Sequence, residues 1–153
     1  MTIDGGGRHS RISHALLKMI LEFNKIERSK HQYGTERKLF FSEIHMIQFI
    51  KEHEGLHISS MAEKLSITKG AVSQIARKLQ KKGMIVKETD PTNQTRILLH
   101  LTPEGELAYE AHEAMHAQLN KAIEDLLKDA SAEERAFLER FLVHLYDRFA
   151  EFL

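Results

Sequence analysis

Residues 58–101 read Ile58-Ser-Ser-Met-Ala-Glu-Lys-Leu-Ser-Ile-Thr-Lys-Gly-Ala-Val-Ser-Gln-Ile-Ala-Arg-Lys-Leu-Gln-Lys-Lys-Gly83, then Met84-Ile-Val-Lys-Glu-Thr89, a polar turn, and Arg96-Ile-Leu-Leu-His-Leu101. This is the pattern of two short helices, a tight turn between them, and a β-hairpin. Met61, Ala62 and Leu65 give the first helix an apolar side; Ser59 or Ser60 can cap it, and Ser60 with Glu63 fits a capping box. Ser66-Ile67-Thr68 is too short for an antiparallel connection, so the helices cross steeply, and Thr68 can cap the second. There Val72, Ile75, Ala76 and Leu79 recur at helical spacing and face a core, while Gly83 stands where a left-handed C-terminal residue is wanted. The opposite face holds Lys69, Gly70, Ser73, Gln74, Arg77 and Lys81, with no acid among them. A solvated helix face ordinarily mixes both signs, so this one reads as built for a polyanion. The predicted fold class is mainly α with a small antiparallel β-wing: a winged helix-turn-helix, which places one helix in a DNA groove.

The flanking sequence reads as a helical body. Ile12, Leu16, Met19, Phe23 and Ile26 step by heptad spacing through a helix from Ser10 to about Lys30. His31 to Lys38 is polar and contains Gly34, so the helix ends or bends there. Ser42 to His53 forms a second helix, capped by Ser42 with Ile44, Ile47 and Ile50 inward, and Leu56-His57-Ile58 can add a short strand to the wing. Thr102-Pro103 opens a long helix, threonine as cap and proline at the first helical position. Ala108, Ala111/His112, Met115, Leu119, Ala122 and Leu126 carry the heptad spacing along it to about Lys128. Ser131 to Glu134 is a capping box for a last helix whose Leu138, Leu142, Leu145, Phe149 and Phe152 repeat the seam. Three apolar seams and a greasy C-terminal end at Phe149, Phe152 and Leu153 imply a partner, most simply a second copy in a two-fold dimer.

The 153 residues carry no net formal charge, but the charge is segregated. Residues 1–58 hold nine Lys/Arg and seven Asp/Glu, residues 59–101 eight and three, and residues 102–153 five and twelve, so the segments stand at +2, +5 and −7. Positive charge concentrated on the helix-turn-helix, with acids kept at the far end, orients such a chain on DNA. There is no cysteine, which excludes a disulfide framework and thiolate chemistry and suits a cytoplasmic location. No apolar run approaches the roughly 20 residues of a membrane span, and the first ten lack the apolar stretch of a secretory signal. Gly5-Gly6-Gly7 marks residues 1–9 as a disordered N-terminus.

The segment Ile58 to Gly105 resembles the winged helix of the MarR family of bacterial and archaeal transcription regulators. The resemblance rests on Met61-Ala62-Glu63-Lys64-Leu65, Ala71-Val72-Ser73, Leu79 with Gly83-Met84-Ile85, Asp90-Pro91, and Leu101-Thr102-Pro103-Glu104-Gly105. It implies a MarR-type domain over 10–153, with residues 10–38 and 102–153 as helical dimerisation region and 39–101 as winged helix-turn-helix. It also implies a homodimer on a palindromic operator, commonly a ligand-responsive repressor. The wing departs from the family pattern: an acid and two arginines are usual there, whereas Asp90 is followed by Pro91-Thr92-Asn93-Gln94-Thr95-Arg96, with one arginine.

Ser73, Gln74 and Arg77 are the candidates for reading base edges, since glutamine matches adenine and arginine guanine in bidentate fashion. Thr68, Lys69, Gly70 and Lys81 fall to the phosphates, with Lys82 nearer the core side. Arg96 would enter the minor groove, and Asn93, Gln94 and Thr95 add neutral hydrogen bonds. Ten histidines are a second feature. His112 and His116 lie at i and i+4, a metal-ligand spacing on a helix. In the resemblance, a zinc-sensing branch uses a glutamate late in the first helix, a histidine early in the second and such a pair in the long helix, which maps to Glu27, His45, His112 and His116. That branch has an acid where Ala111 stands here. No cofactor is required by the sequence; zinc or a small organic effector are the candidate ligands.

An enzyme is disfavoured: there is no Gly-x-Ser-x-Gly, phosphate-binding loop or His-Glu-x-x-His, and no general base is placed beside the histidine pair. A winged helix serving only as a protein-interaction module, without DNA binding, is the alternative of another class; the acid-free face argues against it.

Overall fold

The computed structural model describes residues 11–28 and 30–150. In chain order the elements are α1 (Arg11–Arg28), β1 (Lys30–His31), β2 (Leu39–Phe40), α2 (Phe41–Glu52), α3 (Ile58–Lys64), α4 (Lys69–Lys81), β3 (Ile85–Asp90), β4 (Asn93–Leu101), α5 (Pro103–Leu126) and α6 (Ala132–Ala150). They divide into two compact units, one up to Glu113 and one from Ala114. The expectations for residues 1–9, and for Phe152 and Leu153, fall outside the described residues.

The core of the first unit takes in most of the predicted inward positions, with Leu65 and Ile75 only partly buried against it and Leu39 and Met46 added. Ile44, Ile47 and Ile50 of α2, Met61 and Ala62 of α3, and Val72, Ala76 and Leu79 of α4 are buried together with Met84, Ile85 and Leu99 of the hairpin and Ala108 of α5. At about 1.5–3 kcal/mol for each large side chain fully withdrawn from water, this cluster is what holds α4 in place. β3 and β4 pair antiparallel from Ile85↔Leu101 to Thr89↔Ile97, with an irregularity before Asp90↔Asn93 at the tip.

Both helices of the motif end in the same closure. Past α4, Gly83 N donates to Gln80 O and Met84 N to Leu79 O, both at 3.0 Å, with Gly83 at φ +76°. Past α3, Ser66 N donates to Glu63 O and Ile67 N to Ala62 O, and here a serine occupies the left-handed position at φ 54°. This paired bonding satisfies the last carbonyls and turns the chain sharply. It is why the four residues 65–68 suffice between α3 and α4. Thr68 caps α4 as predicted, its Oγ1 accepting from Ala71 N at 3.1 Å.

Three local expectations are corrected. Helix α3 starts earlier than the serine caps imply: His57 is its cap, its Nδ1 accepting from Ser60 N at 3.3 Å, so the Ser60–Glu63 box does not form. Residues 56–58 add no strand; only an isolated bridge, His57↔Leu98, joins the wing, because Ile58 is already helical. Helix α2 is capped at Phe40 rather than Ser42, with Glu43 accepting from Phe40 N at 2.8 Å. The polar stretch after α1 also holds an unpredicted ladder, Lys30↔Phe40 and His31↔Leu39.

The start of α5 is fastened to the end of α4. Thr102 N donates to Met84 O at 3.0 Å, and Thr102 Oγ1 donates to Gly83 O at 2.6 Å while accepting from Gly105 N at 3.1 Å. A Cβ at Gly105 would lie 2.1 Å from Met84 O. Gly105→Ala is therefore expected to cost about 1–3 kcal/mol of folding stability through overpacking against backbone. Equilibrium denaturant unfolding measures this, and a variant as stable as the parent would show that the approach can relax freely.

In the second unit, Ser131 and Glu134 form the predicted capping box: Ser131 N donates to Glu134 Oε2 at 2.8 Å and Glu134 N to Ser131 Oγ at 3.2 Å. Arg135 ties α6 to the preceding helix through Glu124 and the Leu127 carbonyl. No helix among the described residues is long and apolar enough to cross a membrane.

Candidate nucleic-acid interface

Burying Val72, Ala76 and Leu79 leaves the other side of α4 facing solvent. Thr68, Lys69, Gly70, Gln74, Arg77 and Lys81 are exposed and Ser73 is half-buried, so the predicted residues lie along one stripe of the helix. Lys78, exposed beside Arg77, extends the stripe; the sequence reading passed over it because it lies between the two helix faces.

The charged side chains of α4 are all cations. Lys25, Lys51 and Arg135 are each paired with a carboxylate, and so is Lys82. Among the described residues no carboxylate lies within ion-pairing distance of Lys69, Arg77, Lys78, Lys81 or Arg96. A helix carrying four cations with no counterion at hand has the charge that a polyanion would complement. Lys82 is withdrawn from it: its Nζ donates to Glu43 Oε2 at 2.5 Å and to Lys38 O at 2.8 Å.

The wing tip is rigidified by two successive short turns. Asp90 Oδ1 accepts from both N and Oγ1 of Thr92 at 2.7 Å, and Asn93 Oδ1 accepts from N at 3.0 Å and Oγ1 at 2.7 Å of Thr95. Asx turns of this kind fix the backbone two residues on. The Asn93 carbonyl and the Thr95 hydroxyl, candidates for neutral DNA contacts, thus have a local task. Gln94 and Arg96 are exposed.

Away from that face, the structure gathers part of the histidine set. His45 on α2 meets His112 on α5 with ring centroids 5.0 Å apart and perpendicular planes. Tyr33 stands edge-on to His112 at 5.7 Å and Phe41 lies 4.0 Å from His45. His112 is 1% exposed. Within one turn of α5, His112, Glu113 and His116 offer ligand atoms within 4.8 Å of one another. Glu113 was not in the predicted set, its adjacency to His112 being masked by the i, i+4 pattern. The side chain of Glu27 lies outside the described residues.

Residues 42–97 match the model of the MarR family. An uncharacterized HTH-type transcriptional regulator of Bacillus subtilis, YhjH, is 26% identical over 125 residues, 82% of this chain and 71% of that protein. Two further curated relatives are matched over 62% and 60% of their own length. Among solved structures, Streptococcus pneumoniae FabT in complex with DNA is similar with TM-score 0.72 and 23% identity over 94% of this chain and 98% of that one. Lactococcus lactis ZitR, a zinc-responsive MarR family member, gives TM-score 0.72 and 22% identity over 90% and 96%.

The Asp90 turn carries a pH signature. Hydrogen bonds from the Thr92 hydroxyl, then from the Thr92 amide, hold its carboxyl below the ordinary value of 3.8. A depressed folded value means that the ionised form supports the turn; the support is full above the unfolded value and is lost as pH falls through the lower, folded one. A carboxyl titration by NMR is expected to place Asp90 below 3.8, with the Thr92 amide shifting in step. Titration at or above that value would mean that the turn does not rest on this carboxylate.

Proposed function

We propose that the chain, whose residues 42–97 match the MarR family model, is a transcription regulator of that family, acting as a homodimeric, sequence-specific repressor on palindromic double-stranded DNA, in the cytoplasm. The observation that carries the reading is the unpaired cationic stripe of α4 beside a braced wing bearing Arg96. In this reading Ser73, Gln74 and Arg77 read bases in the major groove, Thr68, Lys69, Gly70, Lys78 and Lys81 meet phosphates, and Gln94 and Arg96 reach the neighbouring minor groove.

The dimer is supported by apolar side chains left open within each unit. On α1, Ile12 and Met19 are 67% and 60% exposed; on α6, Phe137 and Tyr146 are 63% and 75%. Large apolar side chains exposed in this number call for a partner, and a second copy of the same chain would set two α4 helices roughly 34–36 Å apart, one turn of duplex. We assign α1, the distal half of α5 and α6 to dimerisation.

Selection from a random duplex pool, followed by binding titrations across salt concentrations, tests the assignment. Arg77→Ala is expected to weaken the selected site by about 1–3 kcal/mol and relax specificity; Lys69→Ala weakens all sequences alike and lowers the salt slope by about one. Sedimentation should show a dimer. A monomer that ignores every duplex at low salt would end the reading and favour a protein-interaction module.

A second reading is favoured by the meeting of His45 with His112 and the ligand spacing of His112, Glu113 and His116. Two or three imidazoles with a carboxylate suit a divalent ion such as zinc. We propose a zinc-responsive regulator as the alternative to one answering a small organic effector. Metal analysis of purified protein is expected to find about one zinc per chain, lost in His112→Ala, with chelation changing DNA affinity. Metal-free protein whose DNA binding ignores chelator would leave the organic effector.

A further inference from the structure

Glu43 is the least expected residue of the first unit. It is an acid on the first turn of a helix, with its side chain 2% exposed. One oxygen, Oε2, is shared between the Phe40 amide at 2.8 Å and Lys82 Nζ at 2.5 Å; the other, Oε1, has no hydrogen-bond partner among the described residues. Lys82, the residue closing α4, also donates to Lys38 O at 2.8 Å and lies 5.5 Å from the centroid of the Phe40 ring. All three contacts lead from the end of α4 to one place, the chain entering α2.

A buried ion pair is poor value as a source of stability, since desolvation offsets most of the attraction. Its best-attested use is to fix one arrangement among several, because breaking it leaves a buried charge uncompensated. Here the arrangement it fixes is the position of α4. The apolar contacts of Val72, Ala76 and Leu79 bury one side of the helix without directional preference; a lysine held by a carboxylate and a carbonyl adds a directional constraint at its end. Gly83 O, held by Thr102 Oγ1 at 2.6 Å, pins the next residue from the α5 side.

We propose that Glu43 and Lys82 are positioning residues for DNA recognition: the pair sets the pose of α4, and Lys82 is not a phosphate contact despite its place in the cationic run. This rests on the reading of α4 as the recognition helix. It separates from a phosphate role by the sign of one effect. Replacing Glu43 with glutamine removes a negative charge near DNA, so electrostatics alone predicts equal or tighter binding to every duplex. Loss of the pair predicts weaker binding to the selected site.

The experiment uses the full-length protein with two duplexes, the site selected by the parent and a random sequence, titrated from low to moderate salt. Glu43→Gln and Lys82→Met are each expected to lose about tenfold on the selected site and little on random DNA, with the salt slope unchanged. Their double variant should lose no more than either alone, and Lys82→Arg, which keeps a cation able to reach both oxygens, should restore most of the affinity. Thermal melts run alongside; a specificity loss at temperatures where the variants remain folded separates positioning from simple destabilisation. If Lys82→Met does not fold, Glu43→Gln and Lys82→Arg still decide. The proposal is overturned if Glu43→Gln binds the selected site as tightly as the parent, or if Lys82→Met lowers the salt slope by about one on both duplexes. A parent protein that selects no site would instead remove the recognition reading and the proposal with it.

Discussion

The architecture of the first unit depends on how closely α5 can approach the chain just past α4. Met84 O receives the Thr102 amide, and Gly105 lies so near that an added Cβ would come within 2.1 Å of that carbonyl. The Thr102 hydroxyl then reaches the carbonyl of Gly83. These contacts close the hairpin at Ile85↔Leu101 and fix where the long helix begins. They also pin the C-terminal end of α4 from one side while the Lys82–Glu43 pair pins it from the other. A helix so anchored at one end, and buried along its Val72, Ala76 and Leu79 side, can turn its other side to solvent and still keep a defined orientation.

That constraint explains the charge pattern. Surface helices usually offset their own charges with i, i+4 partners, and α6 and α2 do carry acids among their cations. Helix α4 carries none. Four cations on one short helix repel one another in the free protein. The apolar face, the threonine cap and the two anchors compensate for this, leaving the cations available for an external anion. The two short turns at the wing tip serve the same end by stiffening the loop that bears Arg96, so that little ordering is left to occur on binding.

Most of this was legible in the sequence where a residue type has one physical use. Gly83 after a cationic helix, Thr68 and Thr102 before helices, and the Ser131–Glu134 box each gave their position. The 3.6-residue spacing of Val72, Ala76 and Leu79 named the buried side of α4 and so the outward side. What escaped was whatever depends on partners distant in sequence. Ser60 and Glu63 have the spacing of a capping box, but His57 closes the helix earlier. Glu43 carries no signal of its own in the sequence, because the partner that gives it a role, Lys82, lies 39 residues on. Gly105 was visible as a motif residue without its cause, because the carbonyl it must clear belongs to Met84. Glu113 was hidden behind the more regular histidine pair.

Glu43 and His45 stand two residues apart on the first turns of α2, and this has a consequence for control. Glu43 holds the end of α4, and His45 contacts His112 of α5. A ligand engaging His45, whether a metal ion or an organic effector, would act on the same short stretch of helix that holds Lys82. A displacement there would be felt at α4 without passing through the apolar core, whose close packing resists small shifts. A ligand can move the DNA-binding equilibrium only by binding the two poses of α4 unequally. In this unit, α2's first turns are where both the ligand candidates and the α4 anchor meet, so that inequality can arise there from a shift of one helical turn's side chains rather than from rearrangement of the whole fold.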